Sequence, residues 1–132
     1  MEMVKNGISW FEIPVADFER AKTFYQKIFD FEMPEMDMSG VRMGIFLHDR
    51  DGGGVGGAIC FGEGYKPAGS DGPKVYLTAG KDLNTVLNRV ETAGGKVILP
   101  KTEIAPDMGH FAFFSDPEGN VLGLYSWNEG VS

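Results

Sequence analysis

The chain has 132 residues, which is enough for one domain with a packed core and too few for two separate cores. Its formal net charge of -7 and its lack of a Lys/Arg cluster argue against nucleic acid or an anionic membrane as partners. The single cysteine cannot form an internal disulfide, and the first thirty residues resemble neither a signal peptide nor a membrane span, so we expect a cytoplasmic protein.

The first half of the chain is predicted to form a strand, a helix and three further strands. Residues 8–15 are bulky and apolar, and residues 18–29 carry apolar side chains at helical spacing after Asp17, a suitable N-cap. Three strand-like runs separated by turn residues follow, at 31–38, 41–48 and 55–61. This βαβββ unit covers about residues 7–62.

The second half of the chain is predicted to repeat this order after a linker rich in Gly, Pro and Ser at 62–73. Its predicted elements are a strand at 74–80, a helix at 82–95 and strands at 96–100, 109–115 and 120–127. The capping residue Asp82 lies 65 positions after Asp17, close to half the chain, which indicates an internal repeat. The predicted class is α+β, with a second βαβββ module at about 73–128.

Three segments of the chain resemble the vicinal oxygen chelate superfamily, the group of glyoxalases, bleomycin-resistance proteins and extradiol dioxygenases. They are WFEIPVADFERAKTFYQKIFDFEM at 10–33, LNRVETAGGKVILPKTEI at 87–104 and GHFAFFSDPEGNVLGLYS at 109–126. The chain looks most like the subgroup related to lactoylglutathione lyase, whose members share no single reaction. The resemblance implies one domain over 1–132, with curled mixed sheets around a shared cavity, and a homodimer.

The resemblance also implies where a metal would be held, because metal-dependent members take up to two ligands from each module. Transferred position by position, these ligands fall on Trp10, Ala58, Lys74 and Gly123, and the assignment to Ala58 could shift by two residues. None of these four residues offers a lone pair suited to a hard divalent metal at neutral pH. We therefore expect no metal, no other cofactor and no Lewis acid for the glyoxalase reaction.

The candidate binding residues follow from strand alternation combined with the resemblance. Alternation places Trp10 with Glu12, Lys74 with Tyr76, and Gly123 with Tyr125 on shared strand faces. If these faces line the cavity, the small-molecule site comprises Trp10, Ala58, Cys60, Lys74, Tyr76, Gly123 and Tyr125. Glu12, a carboxylate beside an indole, is the candidate catalytic base. The alternatives are that Glu12 pairs with Lys74 or is solvated.

Two functional classes remain open from the sequence. One is a metal-independent protein that binds a small aromatic or apolar molecule. The other is a lyase, isomerase or dioxygenase that uses Glu12, or an atypical metal site with His48 or His110. Cys60 is more typical of a small buried side chain than of a nucleophile. The Asp-Pro-Glu-Gly segment at 116–119 is predicted to be a turn that positions strands and performs no chemistry.

Overall fold

The computed structural model describes residues 1–127, so Asn128, the last residue of the predicted second module, lies outside the described residues. Its elements are β1 (Trp10–Pro14), α1 (Phe18–Phe29), β2 (Glu35–Met38), β3 (Val41–Ile45), β4 (Gly56–Phe61), β5 (Tyr76–Thr78), α2 (Asn84–Leu87), α3 (Val90–Ala93), β6 (Lys96–Glu103), β7 (His110–Ser115) and β8 (Val121–Ser126). None of the helices in this part of the chain combines the length and apolar character needed to cross a membrane.

Two four-stranded sheets carry the fold, with strand orders β1-β4-β3-β2 and β5-β8-β7-β6. In each sheet the first strand of the unit pairs in parallel with the last strand, whereas the remaining pairs are antiparallel. The predicted α+β fold with two mixed sheets in repeated βαβββ order is therefore confirmed. Neither sheet closes on itself, so β1, β2, β5 and β6 are edge strands.

Helix α1 forms where the spacing of apolar residues predicts it. The Asp17 side chain accepts a hydrogen bond from the Arg20 backbone N–H, which satisfies one donor in the first turn. The buried residues of this helix are Phe18, Ala21, Phe24, Tyr25 and Ile28, which recur at helical spacing on one face. The helix ends at Asp30, whose φ of 52° is left-handed and stops the regular hydrogen bonding.

The second predicted helix is instead two short helices, α2 and α3. Asp82 accepts a hydrogen bond from the Asn84 backbone N–H at 3.0 Å, so the helical region begins where the sequence indicates. The break comes at Asn88 and Arg89, where the Arg89 N–H bonds to the Val86 carbonyl three residues earlier. Asn and Thr side chains are weak helix formers, and this segment contains four of them, which favours short tightened turns.

Strand β6 runs three residues beyond the predicted end at Pro100. Proline lacks a backbone N–H and normally interrupts a strand, but β6 lies at the edge of its sheet, where one side needs no partner. The pairing with β7 shifts register on both sides of Leu99. Strand β6 therefore continues past Pro100 with irregular hydrogen bonding to β7.

One apolar core joins the two halves of the chain, because the helices and the inner faces of both sheets pack together. The Phe24 ring lies 6.0 Å from the Phe114 ring and 5.0 Å from the Tyr25 ring. Ile13, Ile59, Leu77 and Leu124 point from the two sheets into this core. Since side chains alternate along a strand, the residues between them point outward on the opposite face of each sheet.

The turn at 116–119 links the two halves through buried polar groups. Glu118, whose side chain is 0% exposed, accepts hydrogen bonds from the Ala16 and Asp17 backbone N–H groups at 2.7 and 2.8 Å. It also pairs with the Arg20 guanidinium at 2.6 Å. Asp116 accepts a hydrogen bond from the Tyr25 hydroxyl at 2.7 Å. The turn does position strands, and it also caps the amino terminus of α1.

Candidate functional site

The outward face of the first sheet contains a groove of about 710 Å³. Its apolar wall is formed by Pro34, Met36, Met38, Met43 and Ile45. Met36 and Met38 are 49% and 54% exposed, which is unusual for two apolar side chains on one strand. Thioether side chains adapt to irregular shapes and contact aromatic rings favourably, so this wall suits an apolar or aromatic molecule.

The polar rim of the groove is formed by Trp10, Glu12, His48 and Arg50. The His48 ring lies over Gly56, where an added Cβ would approach the ring to 2.5 Å, and its Nδ1 donates to the Phe46 carbonyl. Glycine at position 56 therefore makes room for the imidazole at this end of the groove.

Glu12 is held by two hydrogen-bond donors and does not pair with Lys74. Its Oε1 accepts from the Tyr65 hydroxyl at 2.6 Å, and its Oε2 accepts from the Trp10 indole N–H at 3.3 Å. The hydrogen bond to Glu12 raises the pKa of Tyr65 to about 12, so the phenol remains a donor at neutral pH. The Lys74 ammonium instead lies 5.0 Å from the centre of the Phe113 ring.

Ala58 and Cys60 lie on the same outward face but are fully covered. They form a small buried cluster with Met43, and the Tyr65 ring packs against this cluster. Burial, followed by the nearby charge of Glu12, raises the pKa of the Cys60 thiol to about 12. A thiol in this state is a packed side chain rather than a nucleophile.

The outward face of the second sheet carries aromatic side chains around a hollow of about 320 Å³ lined by Tyr76, Ile104, Phe111 and Tyr125. A Cβ added at Gly123 would lie 2.4 Å from Cδ2 of Tyr76, so the Tyr76 ring covers the glycine. The Tyr125 hydroxyl donates to the Met108 carbonyl at 3.1 Å. Gly123 thus provides a flat floor beneath an aromatic ring.

The predicted site residues are divided between these two faces. Trp10, Glu12, Ala58 and Cys60 belong to the first sheet, whereas Lys74, Tyr76, Gly123 and Tyr125 belong to the second sheet or lie just before it. The groove on the first sheet and the hollow on the second share no lining residue. Residues 1–127 therefore present two separate openings, one on the outward face of each sheet.

A family model for the Glyoxalase/Bleomycin resistance protein/Dioxygenase superfamily matches residues 7–124. The chain belongs to this superfamily. A glyoxylase-like domain-containing protein from Didymella fabae is 32% identical over 126 residues, which cover 92% of this chain and 95% of that protein. The Mycobacterium bovis protein CFP32 is 27% identical over 133 residues, covering 93% of this chain and 46% of that protein, so the chain spans about half the length of this relative.

Solved structures of superfamily members share this fold. TnmS3, an antibiotic binding protein from Streptomyces sp. CB03234, is 25% identical and aligns with a TM-score of 0.66 over 96% of this chain and all of that chain. A glyoxylase/bleomycin resistance protein/dioxygenase domain from Frankia sp. EAN1pec has a TM-score of 0.70 over 97% of this chain and 96% of that chain. At 18% identity, the Frankia structure shows the fold alone.

The residues present do not fit the divalent metal that the superfamily implies. The positions transferred from the superfamily are Trp10, Ala58, Lys74 and Gly123. Strand pairing places Glu12, rather than Trp10, opposite Ala58, and Tyr76, rather than Lys74, opposite Gly123, so these paired positions offer one carboxylate and one phenol. Within residues 1–127, no group of three or more His, Cys, Asp or Glu side chains is placed to hold a metal ion. Glu12 is moreover already bonded to Tyr65 and Trp10.

Tyr65 and the methionine wall of this superfamily member were not predicted from the sequence. Met36 and Met38 alternate along a strand that is otherwise acidic, which is a readable signal for one apolar face. Tyr65 is an aromatic residue within a linker of glycine, proline and polar residues, where no local pattern requires a large side chain. Its contact with Glu12 spans 53 positions and could be found only in the folded chain.

Proposed function

We propose that this superfamily member binds a small aromatic or apolar molecule in the groove on its first sheet, without a metal ion. The observation that carries the proposal is an exposed methionine wall beside an indole and a carboxylate that is already held in place. An apolar pocket with a few fixed polar groups is the usual form of a small-molecule site. The likeness to TnmS3, described as an antibiotic binding protein, supports the same class of function.

We further propose that a second copy of the chain completes the site. The groove on one copy would face the aromatic hollow on the other, which brings Tyr76, Tyr125 and Lys74 of the second copy opposite Glu12 of the first. Both surfaces are apolar and open, and exposed faces of this kind mark interaction sites. Twofold symmetry would generate two equal sites, each with a cation on one wall and a carboxylate on the other.

The assembly is tested by sedimentation velocity at micromolar concentration. We expect the mass of two 14.4 kDa chains for the wild type and the mass of one chain for Met38→Lys, which places an ammonium on the apolar face. Met3→Lys, at a residue that is 98% exposed and outside both faces, should leave the dimer intact. A wild-type mass near that of one chain would rule out the paired site.

Ligand binding is tested by thermal denaturation with a panel of aromatic compounds, followed by mass spectrometry of the compounds. A compound at one hundred times its Kd should stabilise the fold by about 2.7 kcal/mol and be recovered unchanged. Met36→Glu should abolish the stabilisation, whereas Met3→Glu should not. If no compound raises the melting temperature, the binding function is wrong.

The alternative function is an enzyme in which Glu12 is the general base. Its supporting observation is that Trp10 and Tyr65 fix the orientation of the carboxylate at the rim of an apolar groove. A product of altered mass in the same experiment, absent with Glu12→Gln, would favour this enzyme over a pure binding protein.

A further inference from the structure

Tyr65 reaches the binding face of the first sheet from outside that sheet. It lies in residues 62–73, which contain no helix or strand, and both Gly62 and Gly64 beside it have positive φ values of 153° and 90°. Its hydroxyl nevertheless donates to Glu12 at 2.6 Å, and its ring packs against the Met43, Ala58 and Cys60 cluster. A segment without regular structure thus places one phenol on the candidate site.

The contacts of Tyr65 overlap with the lining of the groove. Glu12 and Met43 both line the groove and contact or pack with Tyr65, and Ile45 belongs to the same lining and the same cluster. The Tyr65 ring therefore lies beside the groove, next to residues that line it, and is not itself part of the lining. A ligand that hydrogen-bonds to Glu12 must share this carboxylate with Tyr65 or displace its hydroxyl.

We propose that the Tyr65 hydroxyl is a built-in competitor at Glu12, on the rim of the groove, and that the natural ligand has the same chemistry, a planar ring bearing a hydroxyl donor that replaces the Tyr65 hydroxyl at Glu12. The proposal rests on the binding function proposed above and specifies its ligand class and its regulation. The chain itself shows which group the face accommodates: a ring against apolar and sulfur-containing side chains, with its hydroxyl on a carboxylate.

Displacement of the Tyr65 hydroxyl from Glu12 is a local change. The hydrogen bond to Glu12 is exposed to solvent, so its net contribution is modest, and glycine at positions 62 and 64 permits the adjacent backbone to rotate. Because the Tyr65 hydroxyl competes for the carboxylate, the apparent affinity for a phenol is its intrinsic affinity multiplied by the fraction of molecules in which Glu12 is free. Residues 62–73, which carry Tyr65, thereby set the ligand concentration at which binding begins.

The test compares 1-naphthol with 1-methoxynaphthalene, which has the same rings but no hydroxyl donor. Binding is followed by the NMR signal of the Trp10 indole N–H, whose Nε1 lies 3.3 Å from Oε2 of Glu12. The signal is assigned by its loss in the Trp10→Phe variant. We expect the wild type to bind 1-naphthol at least ten times more tightly than the ether. Tyr65→Phe, which keeps the ring and removes the hydroxyl, should bind 1-naphthol about five times more tightly than the wild type does. Glu12→Gln should reduce the preference for 1-naphthol over 1-methoxynaphthalene.

Other outcomes distinguish the proposed role of Tyr65 from the proposed binding function of the groove. Affinities for the two compounds within a factor of two, or a Tyr65→Phe variant that binds 1-naphthol no better than the wild type, would overturn the role of Tyr65. If neither naphthalene binds but another apolar compound stabilises the protein, the ligand class is wrong and the binding function stands. If no aromatic compound binds, both are wrong.

Discussion

Replacing Asp116 with alanine is expected to lower the free energy of unfolding by about 4 kcal/mol, because several buried donors lose their acceptor together. The Asp116 carboxylate accepts from the Tyr25 hydroxyl, from the Glu118 and Asn120 backbone N–H groups and from the Asn120 side-chain amide. Both the tyrosine and the carboxylate are buried. Urea denaturation of wild type and variant measures the difference.

Asp116→Asn is the matched variant in size. It keeps one acceptor oxygen and replaces the other with an NH2 group that faces the donors of Asn120 or Glu118, so we expect it to lose about 2 kcal/mol. Burial raises the pKa of Asp116 above 3.8, so the folded state holds this proton more tightly than the unfolded state. The contribution of this group to stability should therefore decrease as the pH rises through its folded pKa, and Asn should remove that dependence. A loss below 1 kcal/mol for Asp116→Ala would contradict the assigned network.

Glu118→Ala is expected to lower the free energy of unfolding by about 3 kcal/mol. The change would leave the Ala16 and Asp17 N–H groups without acceptors at the amino terminus of α1. It would also remove the partner of the Arg20 guanidinium. The positive end of the helix dipole adds to the loss, because a buried carboxylate is most favourable there. Chemical denaturation again gives the value.

Two controls distinguish this cap from a general effect of removing a carboxylate. Glu118→Gln preserves an acceptor for one N–H group and should lose less than half as much as Glu118→Ala. Glu63→Ala removes an exposed carboxylate from a turn and should change stability by less than about 0.5 kcal/mol. If Glu118→Ala were as stable as Glu63→Ala, the cap would contribute nothing.

The parts of the fold that could be predicted from sequence are those that local patterns specify. A capping aspartate followed by apolar residues at helical spacing predicts helix α1. Apolar runs between turn residues predict the strands. The division of the second helix depends on how weak helix formers balance competing turns, and the extension of β6 past Pro100 depends on its edge position. Neither the helix break nor the strand extension can be predicted from the residues immediately around it.

The site was less predictable because its decisive contacts join distant positions. The outward faces could be assigned by alternation, but the partners of Glu12 could not, since Tyr65 is 53 residues away in the chain. The cap from Glu118 to Asp17 spans 101 positions, and the local sequence at 116–119 predicts only a turn. Whether the two faces belong to one cavity depends on how the helices pack, which residue spacing does not specify.

The Tyr76 ring above Gly123 has an evolutionary consequence. A carboxylate gained at position 123 would begin from a Cβ that overlaps the ring, so the ring must leave before the new side chain can enter the hollow. A larger side chain at position 123 consequently fits only together with a movement of the Tyr76 ring, which couples these two positions. Substitutions at position 123 and at Tyr76 are thus expected to be inherited together rather than independently.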